Sequence, residues 1–371
     1  VGGEPVEQFE TAEHLEPMFS MDNTYNEDEV REFHERVLKG LGEDEPPTYV
    51  LEPKIDGVAI NLIYEDGSLA RAITRGNGRQ GDDVTHNART VAGLPLRLCA
   101  GEEGTPQNLD GSVIEIRGEV YMPFESFEKV NAEREKEGVK LFANPRNATA
   151  GTLKVLDPAV AARRGLRGST YEVGQFRGLD VPDSHWETLA LLRALGCPTI
   201  PRAERCGGIE KVLERCAAWE KAHDDLGCAV DGLVIKVDSR RQRERLGATS
   251  KSPRYMIAYK FGADQAVSRI EDIRVQVGKT GQLTPVAVLE PVELSGTTVS
   301  HASLHNFSYI DKKDIRIGDK VVVQKAGEII PQVASALPDL REGDEKKLEE
   351  PDVCPLCGEK LRRSISDKKQ C

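Results

Sequence analysis

No apolar run in this chain of 371 residues is long enough to cross a bilayer as a helix, which excludes a membrane span of that kind. Internal repeats and low-complexity tracts are also missing, so nothing points to a repeat architecture or a compositional tail. Aromatic residues make up only 5% of the chain beside an apolar fraction of 39%, the balance of an ordinary globular protein. Cysteine is sparse and scattered: of eight, only Cys354 and Cys357 stand at ligand-like spacing. Cys99, Cys197, Cys206, Cys216 and Cys228 read as unpaired small hydrophobes in a reducing cytoplasm, not as a disulfide framework. Basic residues are outnumbered, with 50 Lys and Arg against 62 Asp and Glu, a net charge of -12. The amino terminus is acidic, which is not the pattern of a secretory signal peptide.

An acidic balance argues against a nucleic-acid partner only where charge is evenly spread, and here it is not. Residues 1–50 hold 14 acids and 3 bases, nearly the whole excess. From Lys236 to Lys260 there are 8 bases against 2 acids, and residues 142–167 carry 5 bases against 1 acid. Phosphates meet local surface, not net charge. Solvated structural faces produce the same runs, so charge alone leaves both readings open.

A chain of this length exceeds one ordinary core, and two or three domains are expected. Residues 1–50 form a lead-in segment. Within it, Glu27 to Leu41 has apolar Val30, Phe33, Val37, Leu38 and Leu41 at helical spacing, and Asn26 is a cap with Glu29 three residues on. Residues 48–122 read as strands separated by Gly/Asp turns. Helices are expected over Glu125–Gly138, Trp186–Gly196 and Ile209–Ala222, the second started by Pro182-Asp183-Ser184. A second β-rich region from Ile270 to Val333 is punctuated by Gly278, Gly281, Gly296, Gly318 and Gly327, which suits a small five-stranded barrel of the OB type. From Pro338 the charged stretch reads as a linker.

Chemistry concentrates at the ends of β-rich runs. In Glu52-Pro53-Lys54-Ile55-Asp56-Gly57 a lysine and a carboxylate share a strand end with a glycine. A lysine there, backed by apolar surface and near other cations, can serve as a nucleophile, and a glycine lets a nucleotide approach the backbone. Alone, the four-residue match is weak, because a turn lysine is usually just solvated. It is followed by Thr74-Arg75-Gly76-Asn77-Gly78, Arg117-Gly118-Glu119-Val120, Asp231-Gly232-Leu233-Val234-Ile235-Lys236 and Ala258-Tyr259-Lys260-Phe261. That order resembles the nucleotidyltransferase superfamily of DNA ligases, RNA ligases and capping enzymes. Pro17 to Asn23, Phe142 to Asn147 with Ala150 to Leu153, and Val275 to Pro285 are similar to bacterial NAD-dependent DNA ligases in particular. The resemblance covers essentially the whole chain.

The resemblance implies an α+β architecture: an ATP-grasp-like nucleotidyltransferase (adenylation) domain over 1–264, an OB-fold over 265–337, a linker over 338–350 and a partial zinc finger over 351–371. It implies that Lys54 attacks the α-phosphate of NAD, becomes a lysyl-adenylate and releases nicotinamide mononucleotide. The adenylate would then activate the 5′-phosphate of a nick for the 3′-hydroxyl. Lys236 and Lys260 would surround the α-phosphate, and Arg75 would contact ribose and phosphate. Glu119 and Asp231 would orient the ribose or hold Mg²⁺. Glu52, Tyr171 and the main chain at Ser20 and Met21 would recognise the base, although a lone strand tyrosine is more often core. Nicked double-stranded DNA would meet Arg146, Lys154, the tract Arg240, Arg241, Arg243, Arg245, Lys251 and Arg254, and barrel residues including Lys279 and Lys325. The barrel carries 8 bases and 8 acids, so such a face requires segregation of charge.

Cys354-Pro355-Leu356-Cys357 with Cys371 resembles three ligands of a four-cysteine Zn²⁺ site; a disulfide or idle thiols are the alternatives. The resemblance also leads one to expect a fourth cysteine, helix-hairpin-helix and BRCT regions, and an amino-terminal module for the nicotinamide half of NAD. The chain therefore reads as the core of a bacterial, cytoplasmic, monomeric ligase, impaired in NAD cleavage if that module is lacking. An ATP-dependent ligase or capping-type enzyme is the near alternative, and a non-catalytic DNA-binding fragment the distant one.

Overall fold

A computed structural model describes residues 9–42, 46–101, 103–220, 226–261, 265–278, 282–294, 297–326, 330–354, 356–363 and 369–370. The chain divides into two compact units, residues 1–261 and 262–371.

The first unit begins with short strands β1 (Thr11–Glu13) and β2 (Asn23–Thr24), then helix α1 (Glu27–Leu41). The Asn26 side chain accepts from the Glu29 amide at 2.9 Å, while the Glu29 carboxylate accepts from the Tyr25 amide at 2.7 Å. Both bonds satisfy amide donors at or just before the first turn, which is the capping device that the sequence predicts, reaching one residue further back. Strands β3 (Tyr49–Ile55), β4 (Val58–Glu65), β5 (Ser68–Thr74) and β6 (Gln80–Asp82) follow, then α2 (Thr85–Ala88) and β7 (Val113–Tyr121). Next come α3 (Phe124–Lys136), α4 (Pro145–Leu153), α5 (Pro158–Arg163), β8 (Arg167–Arg177), α6 (His185–Ala194), β9 (Glu204–Cys206), α7 (Ile209–Glu220), β10 (Val230–Val237), α8 (Arg240–Leu246) and β11 (Met256–Tyr259). Helix α6 starts where expected, with the Ser184 hydroxyl accepting from the Glu187 amide. It ends before Gly196, whose φ of +86° cannot continue the helix.

Two sheets organise this unit. One has the order β2-β11-β10-β3-β9, the other β5-β4-β7-β8. Alternation along a strand sends neighbouring side chains to opposite faces. In the first sheet Tyr49, Leu51, Leu233, Ile235, Val237, Ile257 and Tyr259 bury one face in a core shared with Val30, Phe33 and Val37 of α1 and Val212, Leu213 and Trp219 of α7. Each such side chain contributes roughly 1.5–3 kcal/mol on burial. The opposite face is thereby left to Glu52, Lys54 and Lys236. In the second sheet Ile60, Leu62, Tyr64, Ile114, Ile116 and Val120 form the core with residues of α2, α3, α4 and α6, such as Ala88, Val130, Leu153 and Leu189. Its other face carries Asn61, Glu115, Arg117 and Glu119.

The second unit contains β12 (Gln265–Val277), β13 (Leu283–Leu294), β14 (Thr297–Ser303), α9 (Phe307–Lys312), β15 (Arg316–Ile317), β16 (Lys320–Ala326) and β17 (Ile330–Ala336). Strands β12-β13-β14-β17-β16 close a barrel with α9 lying in sequence between its third and fourth strands, which is the OB-fold anticipated from the glycine punctuation. The stretch read from sequence as a linker is ordered onto this barrel over its first ten residues. Pro338–Leu340 form a 3-10 turn, and β18 (Lys346–Lys347) pairs with β15. Arg341 donates to Asp319 at 2.7 Å and to Asp314 at 2.7 Å. Asp319 is fully buried, and this carboxylate is what ties the segment down.

Candidate active site

Lys54 lies near the end of β3, one turn before β4, and the turn between them is tight. A Cβ on Gly57 would come within 2.2 Å of the Val120 carbonyl, so only glycine lets the β3–β4 corner rest against β7. Opposite, β10 carries a bulge: Val230 pairs with Ile55 but Leu233 with Pro53, one residue more on β10 than on β3. The extra residue turns Asp231 to the face that bears Lys54. Its carboxylate accepts from Lys54 Nζ at 2.8 and 2.9 Å and from Lys260 Nζ at 3.1 Å. The Lys54 side chain remains 21% exposed.

Around this pair the second sheet adds charge. Arg146, in the first turn of α4, is ion-paired with Asp56 of the Lys54 motif. The side chain of Glu119 on β7 carries no hydrogen bond or ion pair among the described residues. Burial, helped by the Asp56 carboxylate, pushes it up to about 8 against the pull of Lys54, Arg146 and Arg75. With Glu119 largely protonated at neutral pH, Lys54, Arg75, Arg146 and Lys260 thus face the carboxylates of Asp56 and Asp231, an excess of cations suited to a phosphate.

The other end of the cleft is a buried polar cluster. Lys236 Nζ donates to Glu52 Oε2 at 2.8 Å and to the Tyr171 carbonyl at 3.4 Å, and it lies 5.0 Å from the Tyr171 ring centroid. His185 Nε2, the first residue of α6, meets Glu52 Oε1 at 2.5 Å. Burial, with Arg243 and Lys236 nearby, lowers His185 to about 4, so the ring is neutral and Nε2–H donates to the carboxylate. For Glu52, burial alone would raise the pKa, but Lys236 and His185 outweigh it and hold it at about 2. Behind this cluster Arg243 Nη1 donates to Glu172 Oε1 at 3.1 Å.

The structure therefore separates two lysines that the sequence pairs. Lys260 stands beside Lys54 across Asp231, whereas Lys236 belongs with Glu52 and Tyr171. Ser20 and Met21 lie in a stretch held at both ends: the Met18 amide donates to the Gly78 carbonyl, and the Ala258 amide to the Asp22 carbonyl. Lys154 pairs with Asp82 at 2.6 Å. Within the basic tract, Arg241 is 87% exposed, but Arg243 points inward and cannot track a duplex. His185 and the inward Arg243 escaped sequence reasoning; the only local signal for His185 is its place right after the Ser184 cap.

Lys279 and Cys371 lie outside the described residues, as does the Lys325 side chain. Beside Cys354 and Cys357, the Gly358 amide donates to the Cys354 carbonyl at 2.9 Å. Among the described residues no three His, Cys, Asp or Glu side chains converge to hold a metal ion. Magnesium needs only one or two carboxylates when phosphate oxygens supply other ligands. Glu119, whose side chain has no partner among the described residues and would release its proton to a bound cation, fits that role better than Asp231, which already pairs with two lysines. No helix among the described residues is long and apolar enough to cross a membrane.

Two family models match the chain: the NAD-dependent DNA ligase adenylation domain over residues 6–264 and the NAD-dependent DNA ligase OB-fold domain over residues 267–345. A DNA ligase of Thermotoga petrophila is 48% identical over 361 residues, covering 97% of this chain and 51% of its own length. DNA ligases of Roseiflexus sp. (46% over 372 residues, 98% of this chain, 51% of its own length) and Carboxydothermus hydrogenoformans (47% over 363 residues, 98% and 53%) are similar to the same extent. The chain spans about half the length of the curated relatives it matches.

Proposed function

The chain belongs to the NAD-dependent DNA ligase family, and from that membership we propose that it seals nicks in duplex DNA through a lysyl-adenylate on Lys54. The observation that carries the assignment is the partly exposed Lys54 side chain, whose amine is bridged through Asp231 to Lys260. Lys54 Nζ, having given up a proton to solvent, attacks the α-phosphorus of NAD; a P–N bond forms as the P–O bond to nicotinamide mononucleotide breaks. The adenylate then passes to the 5′-phosphate at a nick, and attack by the 3′-hydroxyl expels AMP. Every step is an in-line displacement at phosphorus, where the protein's work is positioning and charge neutralisation.

Lys260, Arg75 and Arg146 neutralise the phosphate oxygens in this reading. Entry of that phosphate gives Lys54 and Lys260 an alternative to Asp231, which frees the lysine for attack. Glu119 would hold Mg²⁺, whose charge would further neutralise the phosphate. The adenine lies at the Glu52–Lys236–Tyr171 end, with Ser20 and Met21 contributing main chain. Lys154 and the exposed Arg241 face the DNA backbone, with Lys279 and Lys325 assigned the same work on the barrel. Cys354, Cys357 and Cys371 would supply three thiolates to Zn²⁺.

The test is intact-protein mass after incubation with NAD and Mg²⁺, in parallel with ATP. One added adenylate from NAD, absent in Lys54→Ala, is expected. An adduct that persists in Lys54→Ala, or that forms from ATP in preference to NAD, overturns the assignment. Sealing of a pre-adenylated nick by the same chain tests the last step separately.

A further inference from the structure

We propose that His185 is a positioning residue for nucleobase selection, fixing the Glu52 carboxylate so that Glu52 and Lys236 together read a 6-aminopurine and reject a 6-oxopurine. The inference rests on the reading that the base lies at this end of the cleft.

The first support is geometric. Glu52 sits on β3, Lys236 on β10 and His185 on α6, and all three side chains are at most 3% exposed. Glu52 Oε1 accepts from His185 and Oε2 from Lys236, at 2.5 and 2.8 Å, so both oxygens are pinned and the carboxylate cannot rotate. The His185 backbone is anchored at the start of α6, where its amide donates to the Asp238 carbonyl at 2.8 Å.

The second support is a count of donors and acceptors. An ionised carboxylate oxygen takes two hydrogen bonds, so Glu52 keeps acceptor capacity after its two partners are served. Lys236 has three N–H donors, two of which go to Glu52 and the Tyr171 carbonyl. Its 3.4 Å contact with His185 Nε2 is not a hydrogen bond, because that nitrogen's proton is directed at Glu52. One lysine N–H therefore remains. The fixed pair offers an acceptor beside a donor. A 6-aminopurine presents the complement, a donating amino group beside the N1 acceptor, whereas a 6-oxopurine presents an acceptor beside an N1–H. Against the oxo base both contacts become mismatched, and buried polar groups would be left unpaired. Without His185 the carboxylate can rotate and its acceptor loses its direction.

The experiment is calorimetric titration of this chain with AMP and with IMP, using His185→Gln, His185→Asn and His185→Leu, each checked for a cooperative thermal transition. A glutamine amide reaches the place of Nε2, whereas an asparagine amide reaches only that of Nδ1. The parent should favour AMP by at least about tenfold, the size of one well-made base contact. His185→Gln should keep most of that ratio; His185→Asn and His185→Leu should bring it to within about twofold. Retention of the parental ratio in His185→Asn or His185→Leu, or equal weakening of both nucleotides, overturns the proposal. A parent with no preference, or a preference unchanged in Glu52→Gln, overturns instead the placement of the base on which the proposal rests.

Discussion

Arg243 is the arginine of the basic tract whose replacement should damage the fold instead of the substrate interface. The residue is 9% exposed, its Nε donates to the Val237 carbonyl at 2.5 Å, and its guanidinium lies 5.3 Å from the Tyr255 ring centroid. Nη1 ties α8 to Glu172 of β8. Arg243→Met keeps much of the aliphatic volume but strands a carboxylate. Losing one partner of a buried ion pair costs about 3–5 kcal/mol. Glu172 retains the favourable fields of Lys236 and Arg117, which reduces the expected loss to roughly 2–3 kcal/mol.

For a folding unit of this size, each kcal/mol lowers Tm by roughly 2–4 °C, so a drop of about 5–10 °C is expected. Thermal melting gives the first measurement, and urea unfolding at fixed m-value confirms it. Arg241→Ala is the matched control: its exposed side chain should change stability by less than about 0.5 kcal/mol while reducing the salt slope of nick binding by about one. Adding Glu172→Gln to Arg243→Met should recover part of the loss, since the stranded charge is gone. A Tm within about 1 °C of the parent for Arg243→Met, roughly a tenth to a fifth of the expected drop, together with a reduced salt slope, would refute this account and return Arg243 to the DNA-facing tract.

Three further outcomes follow from the same contacts. Between pH 6.5 and about 4 an unfolded His185 binds a proton that the folded one excludes, so acidification through this window should cost on the order of 3 kcal/mol; urea midpoints for His185→Gln should lack this part of the slope. Glu52, held at about 2, adds its own loss only below about 4.5, which separates the two groups on one titration. Arg341→Ala leaves the fully buried Asp319 with the Arg316 amide at 2.8 Å as a remaining partner, and should destabilise the second unit by about 2–4 kcal/mol and expose residues 338–347 to protease. Gly57→Ala, whose Cβ would meet the Val120 carbonyl at 2.2 Å, should shift the corner beside Lys54 and slow adenylate formation by on the order of 100-fold, read by the mass assay. An unchanged rate would show that the corner relaxes away from the nucleophile.

What the sequence disclosed follows from the range of the interaction that carries each signal. Helices α1 and α6 announce themselves through caps, because Asn26 and Ser184 act within three residues of their own positions. The barrel is legible because short strands need turns, and glycine marks them. Arg243 and Arg241 are two residues apart in one basic run, and only the seating of α8 on β10 decides which points inward. His185 reads as a first-turn residue because the carboxylate it holds is 133 positions away.

The position of Asp231 is an intermediate case, and it shows what a stricter use of periodicity could have extracted. Glu52 and Lys54 share one face of β3, and Lys236 shares that face through its bond to Glu52. In a regular strand Asp231, five residues before Lys236, would point to the opposite face, into the apolar core with Leu233 and Ile235. A carboxylate there would be unpaired and would cost several kcal/mol. If both residues serve one cleft, as their motif demands, the strand must gain a residue between them. Gly232 is the natural place. Its φ of +147° is open to glycine, and a Cβ would come within 2.2 Å of the Tyr259 carbonyl. The bulge is thus deducible from the odd spacing of two charged residues, and it is this bulge that sets Asp231 between Lys54 and Lys260.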